Sequence, residues 1–234
     1  MKTGASIFYW IFCPILCLLS SCQSGIFDGR ISEGIVSYEV SYPYLDPDHY
    51  LHGFLPSEMT MQFSDNRFQN ELSAGYGMFR TTFINNSNDL TLKHMVKMGN
   101  KKFYSNLDPN SIHKVLDEYP IYTVIELDET KIIAGLNCKK ALIVYDDVDT
   151  REFYIYYTNE IEFKNPNWST PFSSIDGVLM EYEIQQFNMV TRLTANQVIA
   201  ADTESEVFDV PEAYDHVPYA ELQAKLDEVM ESLE

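Results

Sequence analysis

From Gly34 onward, apolar and polar residues alternate with period two, the spacing that puts successive side chains on opposite faces of a strand. Val36, Tyr38, Val40 and Tyr42 fall on one face, with Ser37, Glu39 and Ser41 on the other. Met59, Met61 and Phe63 alternate in the same way with Thr60, Gln62 and Ser64. Further strands are readable at Arg67 to Leu72, Met78 to Asn85, Leu90 to Lys97, Lys102 to Ser105, Tyr122 to Leu127 and Thr130 to Ile133. The series continues through Lys139 to Tyr145, Glu152 to Thr158, Gly177 to Gln186 and Met189 to Ala200. Turn chemistry separates them at Ser64-Asp65-Asn66, Asn85-Asn86-Ser87-Asn88, Gly99-Asn100 and Asp146-Asp147-Val148-Asp149, where Asn, Asp and Gly tolerate the backbone that a tight reversal needs. The pattern predicts a meander of about ten antiparallel strands.

Two stretches break the period. Asn110 to Glu118 is a short amphipathic helix candidate stopped by Pro120. After Pro218, the spacing of Leu222, Leu226, Val229, Met230 and Leu233 makes one apolar stripe on a helix, which must be buried against the sheet. The expected class is mainly β (α+β), a single β-rich domain over residues 34–234.

The N-terminus is different in kind. Lys2 is followed by an apolar stretch from Ala5 to Leu19, interrupted by Pro14 and closed by Ser20 and Ser21. A spanning helix needs about 20 apolar residues, so this stretch reads as a cleaved secretory signal over residues 1–21. Leu19-Ser20-Ser21-Cys22 resembles the bacterial lipobox, which makes Cys22 the expected lipid-attachment site: its thiol takes the diacylglycerol, and small residues before it admit the peptidase. Several acyl chains, each contributing about 0.8 kcal/mol per buried methylene, suffice for stable anchoring. Residues 22–33 then form an expected tether. No Asp directly follows Cys22, and the tether carries no acidic cluster. The expected location is therefore the outer membrane of a cell envelope, facing the periplasm.

Lipidation changes the cysteine account. Cys13 and Cys17 leave with the signal and Cys22 is acylated, so Cys138 has no partner for an internal disulfide and no CxxC pair remains. The formal charge of −19 repels phosphate backbones and argues against a nucleic-acid partner.

Candidate chemistry is thin. Asp46-Pro47-Asp48-His49-Tyr50-Leu51-His52 places two carboxylates and two imidazoles in seven residues, but no HExxH motif accompanies them, and a solvated loop is the preferred reading over a zinc site. The Asp146–Asp149 run lacks the Gly and closing Glu of a calcium loop and reads as a turn. No GxSxG, phosphate-binding or dinucleotide motif is present. The expectation is a protein that is not an enzyme, with no cofactor and no metal. Met59, Met61, Met78, Met95, Met98, Met180 and Met189 either fill the core, the preferred reading, or line an adaptable apolar groove.

The second half carries a resemblance. Ile133-Ala134-Gly135-Leu136-Asn137-Cys138-Lys139-Lys140-Ala141, Phe153 to Ile161, Ile175-Asp176-Gly177-Val178-Leu179 and Phe208-Asp209-Val210-Pro211-Glu212-Ala213-Tyr214 resemble, in order, the motifs of the GLPGLI-type exported proteins of Bacteroidota. Asp176 stands where that family has Pro, which points to its sister domain of unknown function. The resemblance implies a curved antiparallel sheet, an open half-barrel with helices on its concave side, like the LolA and LolB lipoprotein carriers. It implies no catalytic residues, a turn or close backbone approach at Gly135 and Gly177, and a core-facing Cys138. The functional expectation is a membrane-anchored periplasmic lipoprotein that binds an apolar ligand, a lipid or acyl chain, in the concave sheet. The alternatives are a structural or interaction protein of the envelope and a metal-dependent hydrolase using Asp46, Asp48, His49 and His52.

Overall fold

A computed structural model describes residues 29–117, 119–146, 152–186 and 189–231, without the side chains of Gln186 and Met230. The expected signal, the lipid site at Cys22, most of the tether and the turn at Asp147–Asp149 lie outside these residues.

The alternating segments form β1 (Glu33–Ser41), β2 (Glu58–Ser64), β3 (Arg67–Ala74), β4 (Phe79–Asn86), β5 (Thr91–Met98) and β6 (Lys101–Leu107), an antiparallel meander. A second meander follows, with β7 (Tyr122–Ile133), β8 (Leu136–Tyr145), β9 (Phe153–Thr158), β10 (Val178–Gln186) and β11 (Met189–Ala200). β11 pairs antiparallel with β1, so the first strand lies at the centre of the sheet. A two-residue strand, β12 (Asp215–His216), pairs parallel with β6 and completes a 12-stranded order, β12-β6-β5-β4-β3-β2-β1-β11-β10-β9-β8-β7. The sheet stays open, because β7 and β12 sit at opposite edges.

Helix α1 (Pro109–Leu116) begins one residue before its expected start, because the Asp108 carboxylate caps it by accepting from Ser111 N at 2.8 Å. Helix α2 (Tyr219–Glu231) starts where predicted, with the Pro218 carbonyl accepting from Glu221 N and Leu222 N. The predicted strands at 122–127 and 130–133 are one strand, β7, with a register shift between Leu127 and Thr130. Its exposed edge carries Glu126, Asp128, Glu129 and Lys131 around that irregularity, charges and a bulge that discourage further strand pairing. The expected tether boundary at residue 33 also moves. Ile31 is buried and bridges Ile161, with Ile31 N donating to Glu160 O and Glu162 N to Ile31 O, because an apolar side chain here joins the core.

The sheet is curved. The connection from β9 to β10 is held to the β3–β4 side, where Lys164 N donates to Asn66 Oδ1 at 2.8 Å and Asn85 Nδ2 donates to Ser169 Oγ. Three residues after Ser169, Phe172 packs on Tyr122, Phe153 and Tyr182 of β7, β9 and β10. In a flat sheet with strands about 4.8 Å apart, β4 and β10 would be roughly 24 Å from each other; so short a segment reaches both because the two arms rise around it. Asn167 stiffens this plug by donating to the carbonyls of Ile175 and Gly177, both at 2.8 Å.

Residues 205–231 wrap one arm. Phe208 and Val210 pack on Ile84 and Met95 of the convex face. β12 then covers the β6 edge, and α2 returns on the concave face, with Leu222 and Leu226 against Val96 and Val217. Helix, plug and curved sheet together give the mainly β half-barrel with a packed C-terminal helix that the periodicity and the resemblance led us to expect.

Candidate functional site on the concave face

Between the two arms lies a cavity of about 1150 Å³, slightly above the upper end of the range usual for small-molecule sites. Its position follows from the topology. Plug 164–176 and α1 occupy the end of the sheet where β1 begins, with Trp168 packed near Leu107 and Ile112. At the opposite end stand the β1–β2 and β3–β4 connections. α2 makes a side wall from Tyr219 to Val229.

Much of the lining is apolar: Met59, Met61, Leu72, Met78, Ile184 and Met189 all contribute. The methionines predicted from sequence therefore separate into two groups. Met59, Met61, Met78, Met98 and Met189 line the cavity. Met180 is fully buried in the main core, and Met95 lies beneath Phe208 on the convex side. Around the mouth, Tyr44, Tyr50, Phe54, Tyr76 and Met78 are more than half exposed.

Polar residues interrupt this lining, a feature not readable from the sequence. Asn70, Thr81, Asn85 and His94 alternate with apolar residues on β3, β4 and β5 and point to the concave side. His94 Nε2 pairs with Thr81 Oγ1 at 2.9 Å, and the ring stacks on Phe83 with centroids 4.2 Å apart. Burial pulls its pKa down to about 3, so the imidazole is neutral at physiological pH. Burial also pushes the phenols of Tyr38, Tyr42 and Tyr182 up, keeping them uncharged. Tyr38 donates to Leu179 O at 2.9 Å and Tyr42 to Pro56 O at 2.9 Å.

The structure places the other candidate residues away from such chemistry. Asp46 Oδ1 accepts from Asp48 N at 3.0 Å, His49 Nδ1 accepts from Leu51 N at 3.3 Å, and His52 Nε2 meets Asp46 O at 3.0 Å. These groups shape the turn leading into a short 3-10 segment at Tyr50–Gly53. Among the described residues, no three His, Cys, Asp or Glu side chains are grouped to hold a metal ion. Cys138 is fully buried, and burial pushes its thiol up to about 11, which suppresses the nucleophilic thiolate. Gly135 sits in the β7–β8 turn at φ +86°, whereas a Cβ on Gly177 would meet Tyr157 Cδ2 at 2.7 Å. Turn and close approach are thus both present.

No protein-family model matches the chain, and no curated protein matches it. Among solved structures the chain is similar to PNGF-II, at 13% identity and a TM-score of 0.51, over 82% of this chain and 33% of that one. The chain thus spans about a third of the PNGF-II chain's length. At this identity the likeness shows a shared fold. No helix among the described residues is long and apolar enough to cross a membrane.

Proposed function

We propose that the protein is a non-enzymatic lipoprotein of the cell envelope that is held to the membrane through Cys22 and carries an apolar ligand between the arms of its half-barrel. One observation carries this reading. The concave face, which a small β domain would ordinarily fill with its own side chains, encloses about 1150 Å³ lined by methionine, aliphatic and aromatic groups. Met supports loose specificity, since an unbranched thioether repacks around differently shaped hydrocarbon. The exposed aromatic rim suits transfer of a ligand from an interface, where amphipathic rings are favourable.

Native mass spectrometry of protein purified from its own membranes, followed by solvent extraction, tests the reading. The expected result is a bound, extractable apolar molecule, together with an N-terminal Cys22 that carries the mass of its acyl chains. A ligand-free protein that also fails to take up Nile red overturns the carrier assignment. A mature N-terminus whose Cys22 carries no acyl mass overturns the anchor.

A further inference from the structure

We propose that the cavity selects an uncharged single-chain amphiphile whose hydroxyl- or amide-bearing head seats against Asn70, Asn85 and His94 while its hydrocarbon chain runs toward the mouth. The inference rests on the reading of the cavity as a ligand site and adds the chemistry of the ligand's head.

The first argument is charge. Among the described residues that line the cavity there is no Lys or Arg, and Asp227 on α2 is the one that carries a charge. A carboxylate or phosphate taken to the closed end would lose its hydration without meeting a cation, at a cost that makes such burial prohibitive. His94 does not remedy this, because its surroundings, Phe83, Thr81 and Tyr219, keep the ring neutral.

The second argument is unmet hydrogen bonding. Asn85 is 2% exposed and His94 4% exposed, and both line the cavity. Asn85 gives its amide N–H to Ser169, yet its Oδ1 has no partner among the described residues. His94 uses Nε2 on Thr81, and Nδ1 is left over. Asn70 Oδ1 is likewise buried without a partner. Buried polar atoms are rarely left in this state, because each forfeits the hydrogen bonds it had with water. Two of the three are carbonyl acceptors, which call for a donor. A hydroxyl or amide N–H supplies one; an ionised carboxylate does not.

The third argument is position. Asn85 is next to the last residue of β4, beside the plug, and Asn70 and His94 are both in the rows opposite Phe83. The unpartnered groups therefore lie in the lower half of the cavity, and Met78, Met189 and Ile184 lie toward the mouth. A ligand matching this gradient enters head first.

Nile red displacement from the purified full-length protein tests the proposal, with 1-monolauroylglycerol and laurate as competitors of equal chain length at alkaline pH. The monoglyceride is expected to displace the dye at about tenfold lower concentration or better, the discrimination a hydrogen-bonding site exerts against a mismatched head. Asn85→Leu is expected to erase that preference. Asn70→Leu serves if circular dichroism finds the first variant unfolded. Equal or tighter displacement by laurate overturns the head-group assignment and leaves the carrier reading standing. Displacement by neither competitor overturns both.

Discussion

His94 is the residue at which environment overrides composition most clearly. In the folded protein it stays neutral down to about pH 3, whereas in the unfolded chain it takes a proton below its ordinary value of 6.5. Between those limits the unfolded state binds more protons, so stability falls as pH falls, by up to about 1.4 kcal/mol per pH unit. Above 6.5 neither state is protonated there, and the residue contributes no pH dependence. His94→Gln keeps a polar side chain without the titration. Urea unfolding at a series of pH values is expected to give a steeper loss for the parent protein than for this variant as pH drops from about 6 to about 4. Parallel curves would mean that His94 is already protonated in the fold. A lone His in a strand gives no sign of this in sequence, because the partners that bury it, Phe83 and Tyr219, come from β4 and α2.

At the scale of elements, period two and the turn residues carried most of the sheet. Asp65 and Asn66 both adopt positive φ in the β2–β3 turn, as Asn and Asp do readily. What escaped had no period to show: a two-residue strand, and plug 164–176, whose role depends on touching both arms. The polar residues of the lining escaped for a different reason. β4 is covered on both faces, by Phe208 over Ile84 and by the cavity side at Phe83 and Asn85. Its sequence therefore lacks the clean apolar and polar division that identifies an inward residue. α2 was legible because one stripe of leucines had to be buried. Leu222 has no exposed surface, packs with Val96 and Val217, and makes a specific prediction. Leu222→Ala is expected to cost about 2–5 kcal/mol of stability in denaturant titration. A loss under about 1 kcal/mol would show that the helix is dispensable to the sheet.

For the whole molecule, the strand order sets how the chain can assemble. The first meander runs outward from the middle and the second inward from the far edge, while the junction Gly34↔Ala200 to Ser41↔Arg192 joins residues from nearly opposite ends of the chain. Long-range pairing of this kind closes late and slowly. Gly34 belongs to that junction for a steric reason, since a Cβ there would stand 2.3 Å from Ile199 O. The protein is therefore two modules zipped along one seam, with the C-terminal wrap as a clasp that reaches from the second module onto the first. A cut between Leu116 and Tyr122 severs no strand, and the resulting fragments are expected to recombine in solution. Neither fragment supplies both arms, so Nile red fluorescence is expected to rise on mixing and to stay low for either alone. Dye binding by a single fragment would contradict the shared enclosure. The same seam makes the cavity a product of the assembled chain: neither arm encloses anything until β11 has arrived beside β1.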